Sequence, residues 1–281
     1  MRSGDSAGAV GIGRAQRLRE SGVQTLLGDL HDRRTLGPAL DGAGSVYIAY
    51  PVADGIVDAL MNVASVIHEQ GSSPHVVIMG SGAADPNSPS GIARAHALSE
   101  ELLLRLGVNF TAMRGSAFFY ENILGFHADS IREAGVFANS FGDARPAWIG
   151  GTDVADLCAA ALLDPQSHAN TPIVYPPGHE LLSHQEIADI VSEETGREVR
   201  YQHITADDWK RQLQAHSGGL SNHAMIAHIT TNGEMCENNT TILRKDIDPS
   251  ALAAASGRPP LTFRKFVRQH RAAFGAVTAK V

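Results

Sequence analysis

The 281-residue sequence is poor in cysteine and has no cluster of positive charge. It contains two cysteines and 23 Lys and Arg against 30 Asp and Glu, a net charge of −7. Because nucleic acids are bound by clustered Lys and Arg, this composition argues against a nucleic-acid partner. Two isolated cysteines form no disulfide framework, which predicts a cytoplasmic protein. Cys158 lies in the apolar run DLCAAALL, which favours a small buried side chain over a nucleophile.

Three further absences narrow the class of protein. No stretch approaches the roughly 20 apolar residues of a membrane span, so no membrane association is expected. No Gly-x-Ser-x-Gly elbow occurs, which argues against an α/β-hydrolase. Among 13 histidines, His216, His223 and His228 lie closest together, but their spacing matches no compact zinc motif and no His-Glu-x-x-His occurs. No metal site is predicted.

Strand and helix patterns alternate in the first half of the chain. The strand signals are four nearly continuous apolar runs, typical of strands buried on both faces: VQTLLG (23–28), SVYIAY (45–50), HVVIMG (75–80) and NFTAMR (109–114). Helical patterns cover 54–71 and 91–107, and in the second Leu98, Leu102 and Leu106 are expected to form the buried face. This order predicts an α/β fold with a parallel sheet between flanking helices.

The alternation loosens after residue 135. The sequence predicts helices over 152–163, 183–196 and 206–216, strands over 171–178 and 198–204, and at most partial helix over 217–242. Ser183 and Glu186 match a capping box. We therefore expect two units, a nucleotide-binding domain over 1–160 and a smaller α+β substrate lobe over 161–281, to which residues 135–150 contribute.

Ligands of parallel sheets bind beyond the carboxyl ends of the strands, which selects the strand tails. The cofactor-binding candidates there are Asp29, Leu30, Ala49, Tyr50, Pro51, Gly80, Ser81, Gly115 and Ser116. The segment GSAFFYEN (115–122) predicts an apolar wall for a flat ring, although core packing of the same side chains is an equal alternative. The substrate-binding candidates are Phe118, Phe119, Tyr120, Asn122 and Trp148.

Several of these motifs, in order, resemble one known family. GVQTLLGDLHDRRTLGPALDGAGSVYIAYP, VVIMGSGAA, HALSEELLLRLGVNFTAMRGSAFFYENIL and PAWIGGTDVADLCAAALLDP together resemble the NmrA-like, atypical short-chain dehydrogenase/reductase proteins. The resemblance implies a Rossmann-like NAD(P)-binding domain, a C-terminal substrate lobe and a small-molecule substrate, and it allows a homodimer. It favours NADP slightly over NAD. Members include quinone, aldehyde and imine reductases as well as non-catalytic redox sensors.

The glycine spacing Gly8-x-x-Gly11-x-Gly13 departs from the family pattern. No apolar strand precedes it, and the residues that follow resemble the family's second helix. Between a phosphate-binding loop and a glycine-rich leader, the sequence favours the leader, in a domain that is N-terminally truncated and lacks its first β-α-β unit. The run VQTLLG then loses its usual neighbour and is expected to pair beside SVYIAY. The alternatives are a misassigned start or a truncated gene.

The positions of the family's Tyr-x-x-x-Lys motif hold Ile92 and His96 here. Ile92 cannot donate a proton, which leaves His96 and Ser81 as the candidate catalytic residues, with His96 also a candidate contact to the nicotinamide ribose. The alternatives are a solvated surface histidine and a turn hydroxyl. The resemblance implies an NAD(P)H-dependent oxidoreductase for a small carbonyl, quinone or imine, with activity weakened or lost. The alternative is a non-catalytic NAD(P)-sensing regulator.

Overall fold

A computed structural model describes residues 15–115, 118–168, 171–216, 222–238 and 247–275. Its strands are β1 (Ser45–Ile48), β2 (His75–Ser81), β3 (Phe110–Gly115), β4 (Val136–Asn139), β5 (Ala147–Trp148), β6 (Ile173–Val174), β7 (Glu180–Leu181) and β8 (Arg200–His203). Its α-helices include α1 (Gly37–Leu40), α2 (Ile56–Glu69), α3 (Gly91–Arg105), α4 (Tyr120–Ala134), α5 (Gly151–Leu163), α6 (His184–Thr195), α7 (Ala206–His216), α8 (His223–Glu237), α9 (Pro249–Ser256) and α10 (Phe263–Gln269). None of these helices is both long enough and apolar enough to cross a membrane.

A four-stranded parallel sheet in the order β1-β2-β3-β6 forms the centre of the N-terminal half. Successive residues of β2 face opposite sides, because side chains alternate along a strand. Val76 and Ile78 pack with α2 and α3, whereas Val77 packs on the other face with α5. Both faces are therefore covered, as the continuous apolar runs predict. The predicted α/β class with a parallel sheet and flanking helices is confirmed.

The buried face of α3 differs from the prediction. Leu98 and Leu106 are 47% and 43% exposed, while His96, Ser99 and Glu100 are buried. The helix packs beside α2 and under α8, and it turns polar side chains inward where they find partners, such as the Arg114 guanidinium on Glu100. The leucine spacing therefore predicts the wrong buried face for this helix.

The run 23–28 is not a strand. It has no hydrogen-bonded strand partner among the described residues, and Leu26 and Leu27 are 52% and 101% exposed. The predicted pairing beside β1 is wrong. The chain instead turns at Asp29, whose backbone N–H donates to Thr35 Oγ1, and the Asn62 amide holds the Leu30 carbonyl at 2.9 Å. These contacts fix the chain directly after the run.

The C-terminal half forms its own apolar core. Strand β4 pairs in parallel with β8, and β5 pairs antiparallel with β7. Phe137, Phe141 and Trp148 pack in this core with residues of α4, α6, α7 and α10. The capping box at Ser183 and Glu186 is present, with backbone-to-side-chain distances of 3.2 and 2.8 Å. Helix α8 covers His223–Glu237, within the stretch 217–242 for which the sequence predicts partial helix at most. The domain bounds 1–160 and 161–281 stay a prediction.

Helix α8 approaches the chain after β4 most closely at Gly233. A Cβ at this position would overlap Ser140 Oγ, which is buried and has no hydrogen-bond partner in the described part of the chain. We expect Gly233→Ala to destabilise the protein by about 1–3 kcal/mol through overpacking. In a Ser140→Ala background the nearest atom is the residue-140 Cβ at 3.4 Å, so Gly233→Ala becomes neutral or stabilising, because alanine favours helix. Urea unfolding of the four proteins measures this change of sign, and equal losses in both backgrounds would contradict it.

Candidate functional site

A cavity of about 1040 Å³, its mouth included, lies between the sheet and the C-terminal half. The sheet contributes the carboxyl ends of β2 and β3, with Gly80, Ser81 and Gly115. Helix α3 contributes Ile92 and His96. The other side consists of residues from α4, α6, α7 and α8 and from the chain around β5: Phe118, Phe119, Asn122, Ile123, Phe126, His127, Phe141, Trp148, His184, Trp209, Met225, His228, Ile229 and Asn232. The cavity therefore lies where parallel sheets bind ligands.

The structure brings most of the predicted site residues to this cavity. The members that line it are Tyr50, Gly80, Ser81, His96, Gly115, Phe118, Phe119, Asn122 and Trp148. The candidates Asp29, Leu30, Ala49 and Pro51 do not line it, and Ser116 lies outside the described residues. Tyr120 does not line it either. Its ring is fully buried, and its hydroxyl donates to the Glu180 carboxylate at 2.6 Å, so it packs in the core.

Two of the lining side chains already have partners for their hydroxyls. Ser81 Oγ accepts the N–H of Ala83 at 3.2 Å in a turn contact, and among the described residues its hydroxyl proton has no acceptor. Tyr50 donates to the Asp54 carbonyl at 2.8 Å and contacts His31 Nε2 at 2.7 Å. The Tyr50 ring therefore faces the cavity as a surface, while its hydroxyl is tied to the chain around it.

His96 is a buried imidazole and not a solvated surface histidine. Burial, with the neighbouring His228 and Arg114 as smaller causes, lowers the pKa of His96 to about 4. At neutral pH the side chain is uncharged and carries one donor and one acceptor nitrogen. It can hydrogen-bond a ligand hydroxyl or carbonyl, but it is a poor general acid.

His228 reaches the same region from α8, and local sequence patterns give no signal of this. Its Nε2 lies 3.2 Å from the Asn232 amide nitrogen, and its Nδ1 lies 2.6 Å from Ser90 Oγ. Because an amide nitrogen only donates, Nε2 is the acceptor and Nδ1 carries the proton that goes to Ser90. Ser90 also caps α3, accepting the N–H of Ala93. Burial lowers the pKa of His228 to about 4.

An ion pair next to the cavity, with its further hydrogen bonds, joins four segments. The Arg114 guanidinium at the end of β3 binds the Glu100 carboxylate of α3, with Nε at 2.9 Å from Oε2. It also donates to the Ala84 carbonyl at 3.0 Å and to the Tyr175 hydroxyl. Burial raises the pKa of Glu100, while Arg114 opposes that rise. The network fixes the turn after Ser81 against the helix that carries His96.

The described residues support neither metal-ion chemistry nor a reactive thiol. No group of three or more His, Cys, Asp or Glu there is placed to hold a metal ion. Both cysteines are buried, and burial raises the pKa of Cys158 to about 11 and that of Cys236 to about 12. Their thiols therefore stay protonated at neutral pH, which agrees with the packing role expected for Cys158.

A parallel α/β sheet with its cleft at the carboxyl ends of the strands is the architecture of the Rossmann-like class. The chain belongs to the NmrA-like family, whose model matches residues 9–258. The family resemblance seen in the sequence is thereby confirmed.

Similar proteins are mostly reductases. The chain is 32% identical over 264 residues to an NAD(P)H azoreductase of Xenophilus azovorans, an alignment covering 94% of this chain and 88% of that protein. Two solved structures share the fold. An NADPH complex of the quinone oxidoreductase QOR2 from Escherichia coli has a TM-score of 0.73 at 23% identity, with coverage of 92% and 87% of the two chains. The Citrobacter triphenylmethane reductase with NADP(H) has 0.71 at 18%, with coverage of 92% and 87%.

Proposed function

We propose that the protein is an NAD(P)H-dependent oxidoreductase that reduces a small carbonyl, quinone or imine in this cavity. The observation that carries the proposal is an uncharged cavity at the carboxyl ends of β2 and β3, with Ser81 and the neutral His96 facing it. Membership of the NmrA-like family and the similarity to an NAD(P)H azoreductase support it. NADP is slightly favoured over NAD, and a homodimer stays a prediction.

The cavity suits the nicotinamide half of the coenzyme. At Gly115, a Cβ would lie 2.5 Å from Met79 Cε and 3.0 Å from Phe119 Cζ, so the apolar side chains of Met79 and Phe119 pack directly on the backbone of this strand end. A flat ring fits against such a surface, with Gly80, Ser81 and His96 around it. When bound, the coenzyme supplies the hydride. The glycines Gly8, Gly11 and Gly13, predicted to be a leader and not a diphosphate loop, lie outside the described residues.

The chain's own residues position the reactants. The Ser81 hydroxyl donates to the oxygen or nitrogen that gains charge as the substrate is reduced. His96 hydrogen-bonds the ribose or the same substrate atom. Because the pKa of His96 is about 4, its neutral ring is a poor proton source, and the final proton comes from water.

A turnover assay tests this proposal. NADPH oxidation is followed by absorbance with an uncharged quinone, comparing the wild type with Ser81→Ala and His96→Leu. Loss of one preorganised hydrogen-bond donor is expected to lower kcat about 100-fold. His203→Leu is the matched control, because His203 is a half-exposed residue that does not line the cavity. Turnover that is equal in the wild type and both cavity variants would contradict the proposed roles.

A non-catalytic NAD(P)-binding regulator is the second candidate. It is favoured by Ile92, which faces the cavity where the classical proton-donating tyrosine is expected and cannot replace it. NADPH binding without oxidation in the presence of quinones, aldehydes and imines would support the regulator over the enzyme.

A further inference from the structure

Part of the cavity wall is built of rings. We name Phe118, Phe141, Trp148, His184 and Trp209 the ring cage. All five line the cavity, and each is at most 9% exposed. They come from α6, α7 and the chain between β3 and β5, so folding of the C-terminal half assembles them.

The rings of the cage hold one another in place. His184 stacks on Phe141 with centroids 5.1 Å apart and planes 5° apart. Phe118 packs edge-to-face on both Phe141 and Trp148 at 5.2 Å, and Trp209 does so on Phe141 at 5.3 Å. Such pairs stabilise the packing beyond the burial of their area. The surface is therefore formed before a ligand arrives, which lowers the entropic cost of binding.

The described residues of the ring cage and of the cavity around it carry no charge. Among the described residues that line the cavity there is no Asp, Glu, Lys or Arg. Burial lowers the pKa of His127 to about 4 and that of His184 to about 3, so both imidazoles are neutral. The Trp148 indole N–H is already donated to the Leu182 carbonyl at 2.8 Å. An ionised ligand group entering here would lose its water and gain no opposite charge.

We infer that the ring cage is a binding site for an uncharged flat aromatic ring and rejects a ring that carries an ionised group. The statement that this ring is part of the reducible substrate rests on the proposed function. Ring binding itself needs neither coenzyme nor turnover. The substrate class is then an uncharged aromatic carbonyl, quinone or imine.

The fluorescence of the protein reports on this site directly. The chain has two tryptophans, and Trp148 and Trp209 both belong to the cage. Nitrobenzene and 4-nitrobenzenesulfonate are a matched pair of flat quenchers that differ by one permanent charge. Titrated into the full chain without coenzyme, nitrobenzene is expected to quench saturably, and the sulfonate to bind at least about 100-fold more weakly. Saturation by the sulfonate within about tenfold of nitrobenzene would overturn the inference.

Two variants locate the binding. Phe141→Leu and Phe266→Leu each remove a buried ring from the same apolar core, but only Phe141 lines the cavity. Phe141→Leu is expected to weaken nitrobenzene binding about five- to tenfold, because an aromatic contact is lost, while Phe266→Leu leaves it unchanged. Equal weakening in the two variants would overturn the location.

The fluorescence titration and the turnover assay separate this inference from the proposed function. Saturable nitrobenzene binding without NADPH oxidation would support the ring cage as a binding site and contradict the proposed enzyme activity. Turnover of an uncharged quinone without saturable nitrobenzene quenching leaves the enzyme and overturns the ring cage as its binding site.

Discussion

Acidification from pH 6.5 to about 4.5 is expected to unfold the protein, because four imidazoles are buried in their neutral form. Burial lowers the pKa of His96, His127 and His228 to about 4 and that of His184 to about 3, from 6.5. Below 6.5 the unfolded chain binds protons at these sites and the folded chain does not, so stability falls as the pH falls. Above 6.5 both states are neutral, and this dependence disappears.

The expected loss is large. Each such histidine contributes about 1.4 kcal/mol per pH unit within this window, and four together reach the roughly 5–15 kcal/mol by which domains are stable. Carboxylates that are ion-paired in the fold, such as Glu194 with Arg268, add a further loss only at lower pH. The urea midpoint measured between pH 7 and pH 4.5 gives the slope.

A matched pair of variants assigns that slope to the buried rings. His184→Phe keeps a ring in the stack on Phe141 and is expected to remove the uptake of about one proton on unfolding. Phe266→Leu changes a buried ring of the same core that has no titratable group, and it is expected to leave the slope unaltered. A urea midpoint that stays constant from pH 6.5 to 4.5 in the wild type would contradict the buried neutral state.

Glu100→Leu is expected to destabilise the protein by about 3–5 kcal/mol, since it leaves the Arg114 guanidinium without its carboxylate in a buried site. The double variant Glu100→Leu with Arg114→Met removes both charges and is expected to recover most of this loss. Urea unfolding of the two single variants and the double variant measures the coupling. Additive losses in the double variant would show that the ion pair is not the source of the effect.

Local sequence patterns predict the sheet well and its edge poorly. The apolar runs that became β2 and β3 are continuous because both faces of those strands are covered, so composition alone identifies them. The run 23–28 has the same composition. The chain directly after it is held by a side-chain contact from Asn62, on a helix that is distant in sequence. Such a contact leaves no mark in the run itself.

Local sequence patterns likewise predict only some of the residues of the candidate site. Ser81 and Gly115 follow strands, so the rule for strand ends predicts them, and both line the cavity. His228 and Trp209 reach it from helices of the other half, which only the three-dimensional packing places there. Tyr120 directly follows Phe119 in the same aromatic segment. Because it lies one position further along the chain, its side chain faces Glu180 and the core instead of the cavity.

Calorimetric titration of NADPH tests most directly the claim that this cavity is the coenzyme site. The account predicts saturable binding that is weaker than about 10 µM, because the glycines 8–13 are predicted not to form a diphosphate loop. His96→Leu should weaken that binding, and His203→Leu should not. No heat of binding at millimolar coenzyme, or binding that His96→Leu leaves unchanged, would contradict the site. Binding tighter than about 1 µM would contradict the predicted leader.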